Sequence, residues 1–407
     1  MAIKILHCVH RYRPTIGGSE QYMIDISEHL AARGHDVTIF TSKALSSDTW
    51  KNALPKKDVI NAVKVERFGS MPRSKLVWDI MHYGYSSYPL GMGITAQAAI
   101  FLGNGPMSPS WALSQFTRKN DFEVVHTTAL PYSHVLYAYW FARRNKIPFV
   151  ITPFVHIEQK NIFEIKYLFD VIRKADTVIS ATDYEKRYLE SHGVESSRIY
   201  TVGLGIDLQE LSMHGNTPFK SSIGLKEKEE YILFLGRKEY YKGIDVLIKA
   251  FNSIKAEYPW LFLLLAGPKT DHSEKLMQGL DDKDRIIELG VISEREKNDA
   301  LGSACFSVLP SVHESFGIVF IESWAKGKSV IGARSGAIVD VIDENRTGLL
   351  FSPGDSDDLA LKLKQLIDSP DLRNGLGSLG RIVVEQRYTK KKITDKVEII
   401  YRSLIEK

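Results

Sequence analysis

Cysteine is scarce: among 407 residues there are two, Cys8 and Cys305. Each falls in an apolar run expected to be a buried strand. They read as small core residues in a reducing compartment and imply neither a disulfide framework nor a metal cluster. No uninterrupted apolar run approaches the roughly 18–20 residues of a membrane span. Met1 to His7 has a strand pattern broken by charge, without the apolar core of a secretory leader. No basic run is dense enough for nucleic acid. A D-x-D metal signature is missing, and so is the dinucleotide fingerprint G-x-G-x-x-G.

What is present describes a soluble globular chain, with 44% apolar and 25% charged residues. The length exceeds one typical core and predicts two domains of nearly 200 residues each. Net charge is +4 but uneven. Residues 1–205 hold 24 Lys+Arg against 18 Asp+Glu, whereas residues 206–407 hold 29 against 31. The mildly basic first half suits an anionic acceptor or an anionic membrane surface. Tyr83 to Thr117 has no charged side chain, yet glycines and prolines interrupt it too often for one spanning helix. It reads as helices buried in the first domain, or as an apolar shelf for a lipid-linked acceptor or a membrane face.

Strand and helix patterns alternate through both halves, which predicts α/β architecture with parallel sheets. Ile3–Val9 is the first strand, followed by a loop with Gly17-Gly18, a helix capped by Ser19, and a strand at Val37–Phe40. Val63–Phe68 is the one strand-like run in an irregular region, 44–75. Phe122–His126 and Pro148–Pro153 are strands with His126 and His156 at their carboxyl ends, where open α/β sheets bind ligands. A strand-end histidine is also a common structural residue. The second half restarts the rhythm at Tyr231–Leu235.

Two stretches of this half carry chemistry. After the strand, Arg237 and Lys242 lie five residues apart in a loop bounded by Gly236 and Gly243, where a planar fork and a compact charge can converge on a diphosphate. Cys305–Leu309 is a strand closed by Pro310-Ser311, and Gly317 opens a helix through Ala325. That helix's leading amides lack internal partners and can receive an anion. Glu314, in the loop, and Glu322, about a turn and a half into the helix, flank this point and can face the same mouth. Amides for phosphate and carboxylates for hydroxyls fit a nucleotide sugar. A solvated basic turn and two solvated glutamates are the plain alternatives.

The spacing E-x7-E at Glu314 and Glu322, together with G-R-x4-K-G at Gly236, Arg237, Lys242 and Gly243, resembles the retaining GT-B glycosyltransferases of family 4 (group 1). The resemblance spans nearly the whole chain and is strongest over residues 231–351. It implies two Rossmann-like α/β domains facing a cleft. An acceptor domain would cover 1–205, with a tail at 390–407 packing back on it, and a donor domain 206–389. It implies a retaining, metal-independent hexosyl transfer from a UDP- or GDP-linked sugar to a hydroxyl of a saccharide or lipid-linked acceptor, with no cofactor. Donor contacts would come from Gly17, Gly18, Arg237, Lys242, Val291, Glu314, Phe316, Gly317, Ile318 and Glu322, with Glu322 on the ribose and Glu314 on the sugar. Glu314, Arg237, Lys242 and His126 are the expected catalytic residues. Relatives carry H-x-H where this chain has His126-Thr127-Thr128. The implied location is cytoplasmic, with peripheral membrane contact through the first domain as an extension. An epimerase using His126 and His156, and a non-catalytic nucleotide-sugar binder, are the rivals.

Overall fold

A computed structural model of the chain describes residues 1–14, 17–73, 104–118, 121–212, 219–280 and 283–406. Residues 83–103 of the charge-free stretch, and with them most of the proposed apolar shelf, lie outside the described residues. Six helices recur below: α1 (Gly18–Ala32), α2 (Ile244–Ile254), α3 (Glu294–Ser303), α4 (Ile318–Ala325), α5 (Pro370–Arg387) and α6 (Lys390–Ile405).

The first compact unit comprises residues 1–203 together with 390–407. Its strands are β1 (Lys4–Cys8), β2 (Asp36–Ser42), β3 (Lys57–Ile60), β4 (Val63–Phe68), β5 (Val124–Thr128), β6 (Phe149–Thr152), β7 (Thr177–Ser180) and β8 (Ile199–Thr201). They form one sheet in the order β3-β4-β2-β1-β5-β6-β7-β8. Every pairing is parallel except β3 with β4. That edge hairpin turns at Asn61 and Ala62, both with positive φ (48° and 65°), as a two-residue primed turn requires. Its charged, exposed outer strand blunts the sheet edge. The sequence pattern had left β3 inside an irregular region, because the turn lacks the usual glycine.

The second unit comprises residues 204–389. Its strands are β9 (Glu230–Leu235), β10 (Leu261–Ala266), β11 (Ile286–Glu288), β12 (Phe306–Leu309), β13 (Val330–Ala333) and β14 (Leu349–Phe351), in the order β11-β10-β9-β12-β13-β14 and parallel throughout. Helices cover both faces, so the central strands are buried on both sides and read as unbroken apolar runs. Tyr231 to Phe234 have no exposed surface. Burying each such side chain contributes about 1.5–3 kcal/mol. Cys305 lies just ahead of β12, only partly buried, where the sequence pattern had started the strand.

Both orders share one consequence. In each sheet the chain starts in the middle, winds outward, then crosses to the other side. The crossing falls between β1 and β5 in the first unit and between β9 and β12 in the second. Loops leave these neighbouring strands in opposite directions and open a crevice at their carboxyl ends.

Candidate functional site

In the second unit the loops after β9 and β12 are pressed together. The Val312 amide donates to the Tyr241 carbonyl at 3.0 Å. Gly243 has φ +67°, and a Cβ there would stand 2.5 Å from the Pro310 carbonyl oxygen, so only glycine fits this approach. The contact brings Lys242 Nζ to 2.5 Å from Glu314 Oε1, with the two side chains 17% and 12% exposed. Gly317, with φ +82°, is the N-cap of α4 and supplies no side chain to the first turn. The leading amides of α4 are thereby left to a ligand. Phe316 is buried against Tyr388, and Ile318 is exposed. Arg237 stands largely in solvent, paired with Glu239 at 3.1 Å.

Glu322 lies farther along α4, 7% exposed, and accepts from Lys297 of α3 at 2.9 Å. Burial raises the Glu322 pKa, and the Lys297 ammonium opposes that rise. Beside this crevice the carboxyl ends of β9, β10 and β11 are stitched laterally. Gly236 donates to Ala266 and Gly267 to Gly290, each at 3.0 Å. Lys238, with no exposed surface, donates from Nζ to the Gly267 carbonyl (2.9 Å), the Leu289 carbonyl (2.8 Å) and Glu288 (3.1 Å). Val291, just past β11, is exposed.

The crevice of the first unit is chemically different. Gly17 is the N-cap of α1 and Gly18 its first residue, so the helix starts before Ser19 rather than at it. The reason is Glu20, which folds back under the helix start. A Cβ on Gly17 would stand 2.5 Å from Glu20 Oε2. Glu20 is 3% exposed and meets His10 Nε2 at 2.9 Å and Arg11 at 2.5 Å. Burial alone would raise its pKa, but His10 and Arg11 outweigh it and hold the carboxyl well below the usual range. His10 stacks on Tyr132 from the loop after β5, with ring centroids 3.9 Å apart.

His126 sits deeper, with no exposed surface. Ser27 donates to the Met23 carbonyl, so its oxygen accepts from His7 Nδ1–H at 2.7 Å. His7 Nε2 must then accept from Tyr401 OH at 2.9 Å. Tyr401 in turn accepts from His126 Nδ1–H at 2.5 Å, leaving His126 Nε2 to accept from Thr152 at 2.8 Å. Burial keeps both imidazoles neutral; the His7 pKa is lowered to about 3. The structure therefore departs from the expectation that His126 is catalytic. Its Nδ1 is committed to Tyr401 of α6 and its Nε2 to Thr152 of β6. His156 is exposed and lies against Phe163.

The description "Glycosyl transferase 4-like domain" matches residues 17–205, and "Glycosyl transferases group 1" matches residues 216–382. The chain belongs to the group 1, family 4-like glycosyltransferases. An uncharacterized glycosyltransferase of Methanocaldococcus jannaschii is 23% identical over 99% of both chains. A D-inositol 3-phosphate glycosyltransferase of Kineococcus radiotolerans is 24% identical over 89% of this chain and 85% of its own. The crystal structure of Anabaena HepE in complex with UDP-glucose matches with a TM-score of 0.71 at 17% identity, covering 99% of this chain and all of that one. The fold of this glycosyltransferase is GT-B.

Reading the glycosyltransferase sequence singled out Lys242, Glu314 and the start of α4, which the fold brings together. It did not single out Lys297 and Lys238, whose carboxylate partners lie 25 and 50 residues away, or His10, whose stacking partner is 122 residues away. A histidine just past the first strand, followed by G-G-x-E, was the available signal for the His10–Glu20 pair.

Proposed function

We propose that this glycosyltransferase moves a sugar from a UDP- or GDP-linked donor to a hydroxyl of a saccharide or lipid-linked acceptor, with retention of configuration and without a divalent metal. The observation carrying this reading is the Lys242–Glu314 contact beside the leading amides of α4. Cleaving the bond from the anomeric carbon to the diphosphate oxygen puts negative charge on the phosphate and positive charge on the sugar. Lys242, Arg237 and the amides of Phe316, Gly317 and Ile318 are the groups that would stabilise the leaving diphosphate, an electrostatic role already in place before reaction. Glu314 would exchange its lysine contact for a sugar hydroxyl, and Glu322 would share Lys297 with the ribose hydroxyls. The acceptor hydroxyl would attack from the face the diphosphate leaves, with a phosphate oxygen taking its proton. This differs from retaining hydrolases, which place a nucleophilic carboxylate at the reacting carbon. Gly17, Gly18 and Val291 would complete the donor contacts. The bound UDP-glucose of the Anabaena protein supports a UDP-linked donor, and the inositol phosphate in the Kineococcus relative's name supports a polyol acceptor.

The test is nucleotide release from UDP- and GDP-sugars, with and without acceptor and in EDTA. Acceptor-dependent release that survives EDTA is expected, and Lys242→Ala should lower kcat/KM by about 10²–10³-fold with an unchanged fold. An unaffected rate in Lys242→Ala removes the mechanism. Sugar isomerised without acceptor would mean an epimerase, and binding without release a non-catalytic module.

A further inference from the structure

The amino ends of β9, β12 and β13 hold a second charged constellation, at the opposite edge of the sheet from the crevice. A cavity of about 180 Å³ is lined there by Lys220, Lys326, Lys328 and Arg373, with Glu230, Cys305 and Ser329. β9 alone separates the two edges by roughly 17–20 Å. Four cations thus face one carboxylate, and that carboxylate already accepts from the Cys305 thiol. Burial, and then Glu230, push the thiol up to about 12, so it remains the donor.

Among the described residues none of the four cations has an ion-pair partner. Arg373 donates to the Leu366 carbonyl at 3.0 Å, Lys220 reaches the Glu227 carbonyl at 3.5 Å, and Lys326 bonds the Leu211 carbonyl. Among the described residues Lys328 Nζ has no acceptor. The Ser329 hydroxyl lines the same cavity, is fully buried and has no hydrogen-bond partner. A buried polar group without a partner costs about 1–3 kcal/mol, and crowded like charges add to that. Burial lowers the Lys328 pKa, and Arg373 and Lys220 lower it further, against Cys305 and Glu230.

The crowding is built in by packing. Lys326 and Lys328 follow the last turn of α4, where cations complement the helix dipole. Lys220 and Arg373 come from other elements. Arg373 is delivered because α5 presses directly on the end of α4: a Cβ on Gly377 would fall 2.0 Å from the Gly327 carbonyl oxygen.

We propose that this cavity is a binding site for a phosphate-class oxyanion, either free phosphate or the phosphoryl group of a small metabolite. Four cations and a hydroxyl supply the donors such an anion takes, and the anion supplies the charge that the cavity lacks. Because α4 runs from the donor crevice to this cavity, the anion would bind at the far end of the helix whose start faces the nucleotide.

The experiment is thermal unfolding of the full chain in inorganic phosphate against sodium chloride of equal ionic strength. For a Kd of about 1 mM, 10 mM phosphate should raise Tm by about 2–4 °C in the native protein and equally in Lys242→Ala, whose donor crevice is weakened. Lys328→Gln and Arg373→Gln should each lose most of that shift. Without phosphate, Lys328→Gln should melt at or above the native protein, because one crowded charge is gone. Glycerol 3-phosphate separates the sources: an equal or larger shift assigns a phosphoryl group, and no shift assigns the free ion. The proposal is overturned if neither phosphate nor glycerol 3-phosphate outdoes chloride, or if the shift persists in Lys328→Gln and Arg373→Gln. It is equally overturned if the shift vanishes in Lys242→Ala, which would place the anion in the donor crevice. None of these outcomes depends on which sugar is transferred.

Discussion

The two switch points share a topology and differ in how their charges are balanced. In the second unit, Lys242 and Glu314 meet part-buried, beside the start of a helix that no side chain caps. In the first unit, Glu20 is sealed between His10 and Arg11, and an aromatic stack covers the pair. One crevice keeps its charges exchangeable; the other uses them as structure. The carboxylates differ most, 12% exposed for Glu314 and 3% for Glu20, and a carboxylate nearer solvent gives up less stability when its partner is displaced.

Glu20→Ala offers the largest break in that contrast. It leaves the buried His10 and the partly buried Arg11 without their carboxylate and should cost about 3–5 kcal/mol, read as a lower urea midpoint. Glu314→Ala should do the opposite. Stability should stay within about 1 kcal/mol while turnover falls at least ~10²-fold; an equal loss of stability would erase the distinction. Tyr401→Phe strands a lone pair on His7 and an N–H on His126. A loss of about 1–3 kcal/mol with kcat held within about two-fold is expected, and a fall in kcat without destabilisation would return His126 to the chemistry.

The smallest effect concerns the tail. Burial would raise the Glu398 pKa, but Arg33, Arg402 and His35 outweigh it and lower the value to about 2. The folded value lies below the unfolded one, roughly 4.3, so the stabilisation is complete above the unfolded value and is lost as pH falls through about 2. Denaturant midpoints compared at neutral and acid pH should show a shallower acid slope in Glu398→Gln.

Much of the fold was legible because parallel strands buried on both faces read as plain apolar runs. Val63–Phe68 was placed to the residue, and Tyr231–Leu235 missed only the leading Glu230. The hairpin strand β3 was not, since Asn61-Ala62 reaches positive φ without the glycine that signals such turns. Local spacing sufficed for the Lys242 loop and the start of α4, which follow adjacent strands. It could not reveal what His126 does, because its partner Tyr401 is 275 residues away. Ser19 has the residue type of a helix cap, but the helix starts ahead of it, over the Glu20 carboxylate beneath Gly17. Lys238 looked like a spacer in G-R-x4-K-G, and only the lateral meeting of three strand ends shows it to be a clamp.

The route of the chain through the first unit also bears on how the protein is made. Its polypeptide is interrupted: Tyr401, the hydroxyl that joins His7 to His126, is synthesised after the whole of residues 204–389. The second unit is contiguous and can close as soon as it leaves the ribosome. The amino-terminal half, made first, lacks the Tyr401 partner of His7 and His126 until the last helix arrives. Synthesis order thus lets the second unit complete its contacts before the first has all of its own.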